Sequence, residues 1–341
     1  MRIAIVKLSA MGDIVHGAIV LQFVKKYYPD ARIEWICEKA FAPVLEDNPD
    51  IDTIHTINLK EIKKQRDTAA LITLIKKLRS LGEYDYVIDM QGLIKSAVVS
   101  RLIGKNTSGF DRNSTRESLA ALFYANSFNI PYDTNTVDRN IDVVARSLGF
   151  EISHKEALEK RPFLFYHNDG KFAFEPYLGK KNVVFVIGST WESRNYPKEL
   201  FAKLADLLRV NCLIVWGGEE EKSRAEWIEA HSGYAKVLPK LDINALKALV
   251  ARSDLVIGND TGPTHMAWAM NVASIVIFGP TPVSRVHTSE INRVVKSPSA
   301  VDPYKLNKQD FSIREIQPNE ISGIAKELLF RDIPNQTKAT D

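Results

Sequence analysis

The sequence predicts an α/β protein of two doubly wound, Rossmann-like domains facing a central cleft. Three observations lead there. The chain has 341 residues, too many for one ordinary core. Short β-rich runs alternate with helical patterns, which implies parallel βαβ units. The alternation gives way to a charged transition near residues 155–181 and then restarts.

In the N-terminal half, Arg2–Val6 reads as a strand, Ile14–Tyr28 as a helix and Ala31–Cys37 as the next strand. Thr53–Ile57 and Tyr84–Ile88 read as strands, separated by a helix ending near Leu81, where Gly82 suits a C-terminal cap. Leu93–Ile103 reads as a helix. The polar segment Gly109–Thr136 interrupts the rhythm, and a helix follows to about Leu148. After a charged transition with a turn at Asn168-Asp169-Gly170, strands are expected at Asn182–Ile187, Cys212–Trp216, Leu255–Ile257 and Ser274–Phe278. Helices are expected at Pro197–Leu208, up to Glu226, and at Ile243–Arg252 and Pro263–Met270. The expected boundaries are a domain at 1–165, a linker at 166–181, a domain at 182–317 and a closing helix at 318–334 that packs back on the first domain. The tail after Pro334 is polar and reads as frayed.

Composition narrows the function. With 45% apolar and 26% charged residues the chain is that of a soluble globular protein. No apolar run approaches the ~20 residues that span a bilayer. The opening residues do not form a signal peptide, so a cytoplasmic location is expected. Cys37 and Cys212 lie in strand-like runs and read as buried reduced thiols. A formal charge of +3 is too small to indicate nucleic acid. Its distribution is uneven, with Lys60, Lys63, Lys64, Arg66, Lys76, Lys77 and Arg79 set against only Glu61 and Asp67 between residues 60 and 79. That stretch is either a solvated helix face or a patch for an anionic partner.

In doubly wound folds ligands gather beyond the carboxyl ends of the strands, so the loops there carry the chemistry. The loop Lys7-Leu8-Ser9-Ala10-Met11-Gly12-Asp13 follows the first strand. It matches neither a dinucleotide fingerprint nor a P-loop. Asp13 there is a helix cap or a general base, and it can be both only if one carboxylate oxygen stays free. The loop Gly258-Asn259-Asp260-Thr261-Gly262-Pro263-Thr264-His265 opens a helix. Its amides from Thr261 to Thr264, Pro263 excepted, suit a diphosphate. Asp260 suits sugar hydroxyls, and His265 suits a phosphate or a place under the loop. In Gly188–Pro197, Ser189 and Thr190 offer hydroxyls and Arg194 a fork for phosphate oxygens; an ordinary capped loop is the plainer alternative. Of Glu219, Glu220 and Glu221 at a helix start, one could hold a ribose diol or all could complement the dipole. No metal-ligand spacing is present, so a diphosphate leaving group would be neutralised by Arg194 and the helix N-terminus.

With these residues the chain resembles the ADP-heptose:lipopolysaccharide heptosyltransferases of glycosyltransferase family 9. The motifs are Lys7-x-Ser9-x-Met11-Gly12-Asp13, Asp89-x-Gln91-Gly92-Leu93-x-Lys95-Ser96, Thr115-Arg116-Glu117, Val237-Leu238-Pro239-Lys240 and Asp260-Thr261-Gly262-x-x-His265. The likeness runs over nearly the whole chain. The second and third motifs lean towards members that add the first heptose rather than the second. The resemblance implies a GT-B fold, inverting transfer and Asp13 as catalytic base. It implies an acceptor-binding N-terminal domain and a nucleotide-sugar-binding C-terminal domain. It implies donor contacts at Ser189, Thr190, Arg194, Glu221, Leu241, Asp260, Thr261, Gly262 and His265, with Arg194 where the family often has Lys. Acceptor contacts are implied at Arg116 and Arg139, and more loosely at Lys60, Lys63 and Lys64. The implied donor is ADP-heptose, with no cofactor and no metal, and the implied acceptor is Kdo2-lipid A. A monomer in peripheral contact with the cytoplasmic face of the inner membrane is expected. Addition of the second heptose, transfer of another nucleotide sugar, a non-catalytic nucleotide-sugar binder and a nucleotide-sugar epimerase are the competing readings.

Overall fold

A computed structural model describes residues 1–168 and 181–330. The chain divides into two compact units, Met1–Phe163 and Leu164–Asp341. Most of the expected linker at 166–181, including the Asp169-Gly170 half of its turn, lies outside the described residues, as does the tail after Phe330.

The first unit holds six strands: β1 (Arg2–Val6), β2 (Arg32–Glu38), β3 (Thr53–Ile57), β4 (Tyr86–Asp89), β5 (Thr107–Phe110) and β6 (Asn126–Phe128). All pair in parallel, in the order β3-β2-β1-β4-β5-β6. Ile3, Ala4, Ile5 and Val6 are fully buried, which is why the central strand reads as an unbroken apolar run rather than an alternation. The helices are α1 (Met11–Gly17), α2 (Val20–Tyr27), α3 (Ala42–Leu45), α4 (Leu59–Gln65), α5 (Thr68–Arg79), α6 (Ile94–Ile103), α7 (Thr136–Leu148) and α8 (His154–Leu158). A 3-10 helix, Ser118–Phe123, lies between β5 and β6. Right-handed crossovers put α1 to α3 on one face of the sheet and α4, α5, α6 and the 3-10 helix on the other. On the latter face Leu74 and Leu78 of α5 reach a core with Val6, Leu8, Val87, Val99 and Ile103.

Three local expectations change. The single helix expected at Ile14–Tyr28 is α1 followed by α2, and both are so buried that periodicity does not mark the break. The irregular segment Gly109–Thr136 contains β6 and the 3-10 helix, each too short to show a period. Helix α5 ends at Arg79 with Ser80 as its cap, so Gly82 follows the cap rather than forming it.

The second unit repeats the plan with β7 (Asn182–Val186), β8 (Asn211–Val215), β9 (Ala235–Val237), β10 (Leu255–Asn259), β11 (Ser274–Phe278) and β12 (Asn292–Lys296). Their order is β12-β11-β10-β7-β8-β9, again all parallel. The edge strands β9 and β12 went unread because they are short and mix polar with apolar residues. The helices are α9 (Lys198–Leu208), α10 (Glu219–Ala230), α11 (Ile243–Arg252), α12 (Gly262–Ala269) and α13 (Pro318–Phe330).

The last helix packs into the core of the second unit. Ile321, Ala325, Leu328 and Leu329 of α13 join Phe185, Phe201 and Ile275 in the second core, and α13 packs on α9. That helical stripe is filled within its own unit. Cys37 and Cys212 are free and buried; burial pushes the Cys37 thiol up to about 12 and the Cys212 thiol up as well. No helix among the described residues is long and apolar enough to cross a membrane.

Both sheets reverse strand order between their first and fourth strands, β1/β4 and β7/β10. The loops leaving those strands diverge and open a crevice at each reversal. The motif loops sit at these two points.

Candidate functional site

In the first unit, the loops after β1 and β4 are tied together. Gln91 Oε1 accepts the amides of Leu8 (3.0 Å) and Ser9 (3.1 Å). The buried Lys7 ammonium donates to the Met90 carbonyl (2.8 Å) and Asn140 Oδ1 (2.9 Å). Burial lowers the Lys7 pKa, and the charges of Asp13 and Asp89 oppose that. Asp89, itself fully buried, accepts the amides of Gln91 (2.7 Å) and Gly92 (3.2 Å) and the Tyr124 hydroxyl (2.8 Å). Its burial raises the carboxyl pKa despite those bonds. Gly92 takes φ +68, a region that suits glycine, and a Cβ there would meet the Phe110 ring at 3.0 Å. Thr115 Oγ1 donates to the Gly92 carbonyl, and Glu117 Oε2 accepts the Ile94 amide (2.7 Å) at the start of α6. The Asp89–Ser96 and Thr115–Glu117 motifs are therefore one scaffold beneath the β1 loop.

Asp13 stands on this scaffold at the third position of α1, with Ala10 as the cap residue. One oxygen, Oδ2, accepts the Ala10 amide at 3.0 Å. The other accepts no hydrogen bond among the described residues, and the side chain is half-buried. The condition for a dual role, one free oxygen, is met.

The basic residues divide. Lys60, Lys63 and Lys64 are exposed on α4, and Arg116 is exposed before the 3-10 helix. Arg139, also expected as an acceptor contact, is different. It is 9% exposed, and its guanidinium donates to the carbonyls of Ile130 (2.9 Å), Pro131 (2.6 Å) and Ser114 (2.7 Å). It also lies over the Phe110 and Tyr132 rings. Its fork is consumed in fastening the chain between β5 and α7.

In the second unit, the β10 loop turns into α12 at Thr261. Asp260 is the hub. Its Oδ1 pairs with His265 Nε2 (3.0 Å), and its Oδ2 accepts from Arg194 (2.8 Å) and Thr281 Oγ1 (2.8 Å). Arg194 also donates to the Asp260 carbonyl, and Arg285 stands 4.0 Å from Oδ2. Burial disfavours the charge on Asp260, yet the His265 hydrogen bond and the nearby cations hold its carboxyl well below the usual range. Asp260 is 2% exposed with both oxygens engaged, and these bonds organise the loop. His265 lies buried under the loop with Nε2 on Asp260. The Thr264 amide bonds the Thr261 carbonyl (3.1 Å), which leaves the amides of Thr261 and Gly262 to face a ligand.

Arg194 arrives from the loop after β7, which Asn259 pins by accepting the Tyr196 amide (3.0 Å) and donating to the Ile187 carbonyl (2.7 Å). Ser189 Oγ is buried without a partner among the described residues, and Thr190 is exposed. Glu221, on α10, accepts the Gly217 amide (2.7 Å) and lies across Gly188, where a Cβ would come within 2.0 Å of Oε1. Gly188 is glycine to admit that carboxylate. Leu241 is half-buried just before the Asp242 cap of α11. Trp191 stands between Arg194 and Lys308, at 5.5 and 4.8 Å from its ring centroid. Sequence reading assigned no role to Thr281, Arg285 or Gln91. Thr281 and Arg285 lie beyond the motif in a later loop, so no spacing rule reaches them.

Two doubly wound units, with a helix-opening anion cradle in the second, define a glycosyltransferase of GT-B architecture. The profile of glycosyltransferase family 9 (heptosyltransferase) matches residues 71–310, and the chain belongs to that family. The chain is 34% identical to lipopolysaccharide heptosyltransferase 1 of Campylobacter coli, covering 96% of this chain and 99% of that protein. It is 28% identical to the protein of that name from Escherichia coli K12, over 91% and 97%. The solved structure of E. coli heptosyltransferase WaaC with ADP-2-deoxy-2-fluoro heptose aligns with a TM-score of 0.78 at 25% identity, over 96% of this chain and 99% of that one.

Proposed function

We propose that the protein transfers L-glycero-D-manno-heptose from ADP-heptose to the inner Kdo of Kdo2-lipid A, with inversion at the anomeric carbon. The observation that carries this is the cradle at 260–265: two amides, Thr261 and Gly262, without a partner among the described residues, at the head of α12, braced by Asp260 with Arg194, His265 and Thr281. A helix head braced by cations suits a diphosphate. Relatives named heptosyltransferase 1, and a related structure holding an ADP-heptose analogue, supply the sugar and the nucleotide.

In this reading Asp13, through its free oxygen, takes the proton of a Kdo hydroxyl. The hydroxyl oxygen forms the new bond to the anomeric carbon, and ADP leaves with the electrons of the broken bond. The amides of Thr261 and Gly262, with Arg194, offset the leaving charge without a metal. Glu221 takes the ribose hydroxyls, the buried Ser189 hydroxyl and Thr190 hold the phosphates, and Leu241 contacts the base. Lys60, Lys63, Lys64 and Arg116 receive the acceptor's anionic groups. The protein works as a monomer in the cytoplasm, peripheral on the inner membrane.

The test is ADP release from ADP-heptose with Kdo2-lipid A, without it, and with an acceptor already carrying one heptose. Release only with the first supports the proposal. Release only with the heptosylated acceptor assigns the second transfer instead, and hydrolysis independent of acceptor removes the transferase reading.

A further inference from the structure

On the first unit, exposed large apolar side chains gather. Nine such residues are exposed there, and six of them (Leu71, Ile72, Ile94, Val98, Leu119 and Leu122) lie on α5, α6 and the 3-10 helix Ser118–Phe123. These elements belong to one face of the sheet and pack in sequence, α5 on α6 and α6 on the 3-10 helix. Leu119 and Leu122 are 60% and 78% exposed. Three apart in a 3-10 helix, they point the same way. Ile94 and Val98 are one helical turn apart, as are Ile72 and Lys76.

Charge on these elements has one sign. The three segments carry Lys76, Lys77, Arg79, Lys95 and Arg101 and not one acidic residue. Helix α4, packed beside α5, adds Lys60, Lys63 and Lys64 against Glu61. Protruding apolar side chains among cations match an interface of anionic headgroups over hydrocarbon. The acids nearest these elements, Asp67 and Glu117, stand at their caps.

We infer that α5, α6 and the 3-10 helix form a bilayer-docking face, with Leu119 and Leu122 as the wedge that enters the acyl boundary of an anionic phospholipid membrane. This deepens the proposed function, since the acceptor named there is a membrane lipid, but it concerns bulk phospholipid and not the acceptor itself.

The experiment is co-sedimentation of the full chain with vesicles that contain no acceptor, either phosphatidylglycerol/phosphatidylcholine mixtures or phosphatidylcholine alone. The wild type should bind the mixed vesicles, more weakly as salt rises, and bind pure phosphatidylcholine poorly. The folded double variant Leu119→Ser/Leu122→Ser should lose on the order of tenfold or more in partitioning. On a water-soluble, deacylated acceptor it should keep wild-type turnover, while transfer to vesicle-embedded acceptor falls. Equal vesicle binding by wild type and variant overturns the inference. So does a wild type that ignores both vesicles but self-associates through these leucines, which would make the face a dimer contact. A loss of turnover on both acceptors also overturns it. Absence of ADP release with every acceptor defeats the proposed reaction instead and leaves the vesicle result standing.

Discussion

Arg194 and Asp260 join the two loops at which the second sheet reverses its strand order, with the guanidinium 2.8 Å from Oδ2 and also bonded to the Asp260 carbonyl. Both side chains are largely buried, at 11% and 3% exposure. A buried pair of this kind is costly to halve, because the surviving charge is left unpaired. Asp260→Asn should therefore destabilise the fold by about 3 kcal/mol and weaken ADP binding together. Denaturant unfolding and ADP titration calorimetry check this. Weaker ADP binding at unchanged stability would show that Asp260 meets the ligand directly.

Asp13 offers a cleaner separation of roles. Asp13→Asn keeps an oxygen for the Ala10 amide, so α1 should keep its start. The proton acceptor is lost, and turnover should fall by ~10²–10⁴ with the melting temperature near wild type. Near-normal turnover in a folded variant would return Asp13 to a purely structural post.

Gly188→Ala tests the ribose site without touching the ligand. The new Cβ would meet Glu221 Oε1 within 2.0 Å, and the flexible carboxylate end must move. ADP affinity should drop by about tenfold, roughly one good hydrogen bond, with little change in stability. Unaltered affinity would remove Glu221 from the donor site.

Arg139→Ala should act on folding and not on acceptor binding. It leaves the carbonyls of Ser114, Ile130 and Pro131 without their donor and empties the space over Phe110. Expected is a loss of about 2–4 kcal/mol in stability, with acceptor KM unchanged in the folded fraction. A raised KM at wild-type stability would restore the acceptor role.

Glu34, which is 1% exposed, should contribute to acid sensitivity. Burial raises its pKa, but hydrogen bonds from Arg2, Tyr84 and His55 outweigh that and bring it down from 4.5 to about 2. A depressed carboxyl contributes stability above its unfolded pKa and loses it as pH falls through the folded value. The contribution, of order 2–3 kcal/mol, should thus fade between about pH 5 and pH 2. Glu34→Gln should be less stable near neutrality and show a flatter stability profile across that window. A profile identical to wild type would place the acid transition elsewhere.

The two doubly wound units were legible in the sequence because their central strands are buried on both faces. Such strands read as apolar runs between helical periods, as Arg2–Val6 and Asn182–Val186 do. The edge strands β6, β9 and β12 were not, since three to five mixed residues at a sheet margin carry no clear period. The loops that matter were also legible, because small residues, a helix start and a nearby carboxylate or cation mark a strand-to-helix turn. Sequence alone thus determined that the motif segments follow strands and open helices. Only the tertiary structure decided what each polar atom does. Asp260 is 66 residues from Arg194 and Gln91 is 83 from Leu8, and strand order, not spacing, brings them together. Once they meet, burial leaves each group room for only a few partners. Asp260 and Arg139 bond groups inside the protein, whereas among the described residues Asp13 keeps one oxygen, and Thr261 and Gly262 their amides, without a partner.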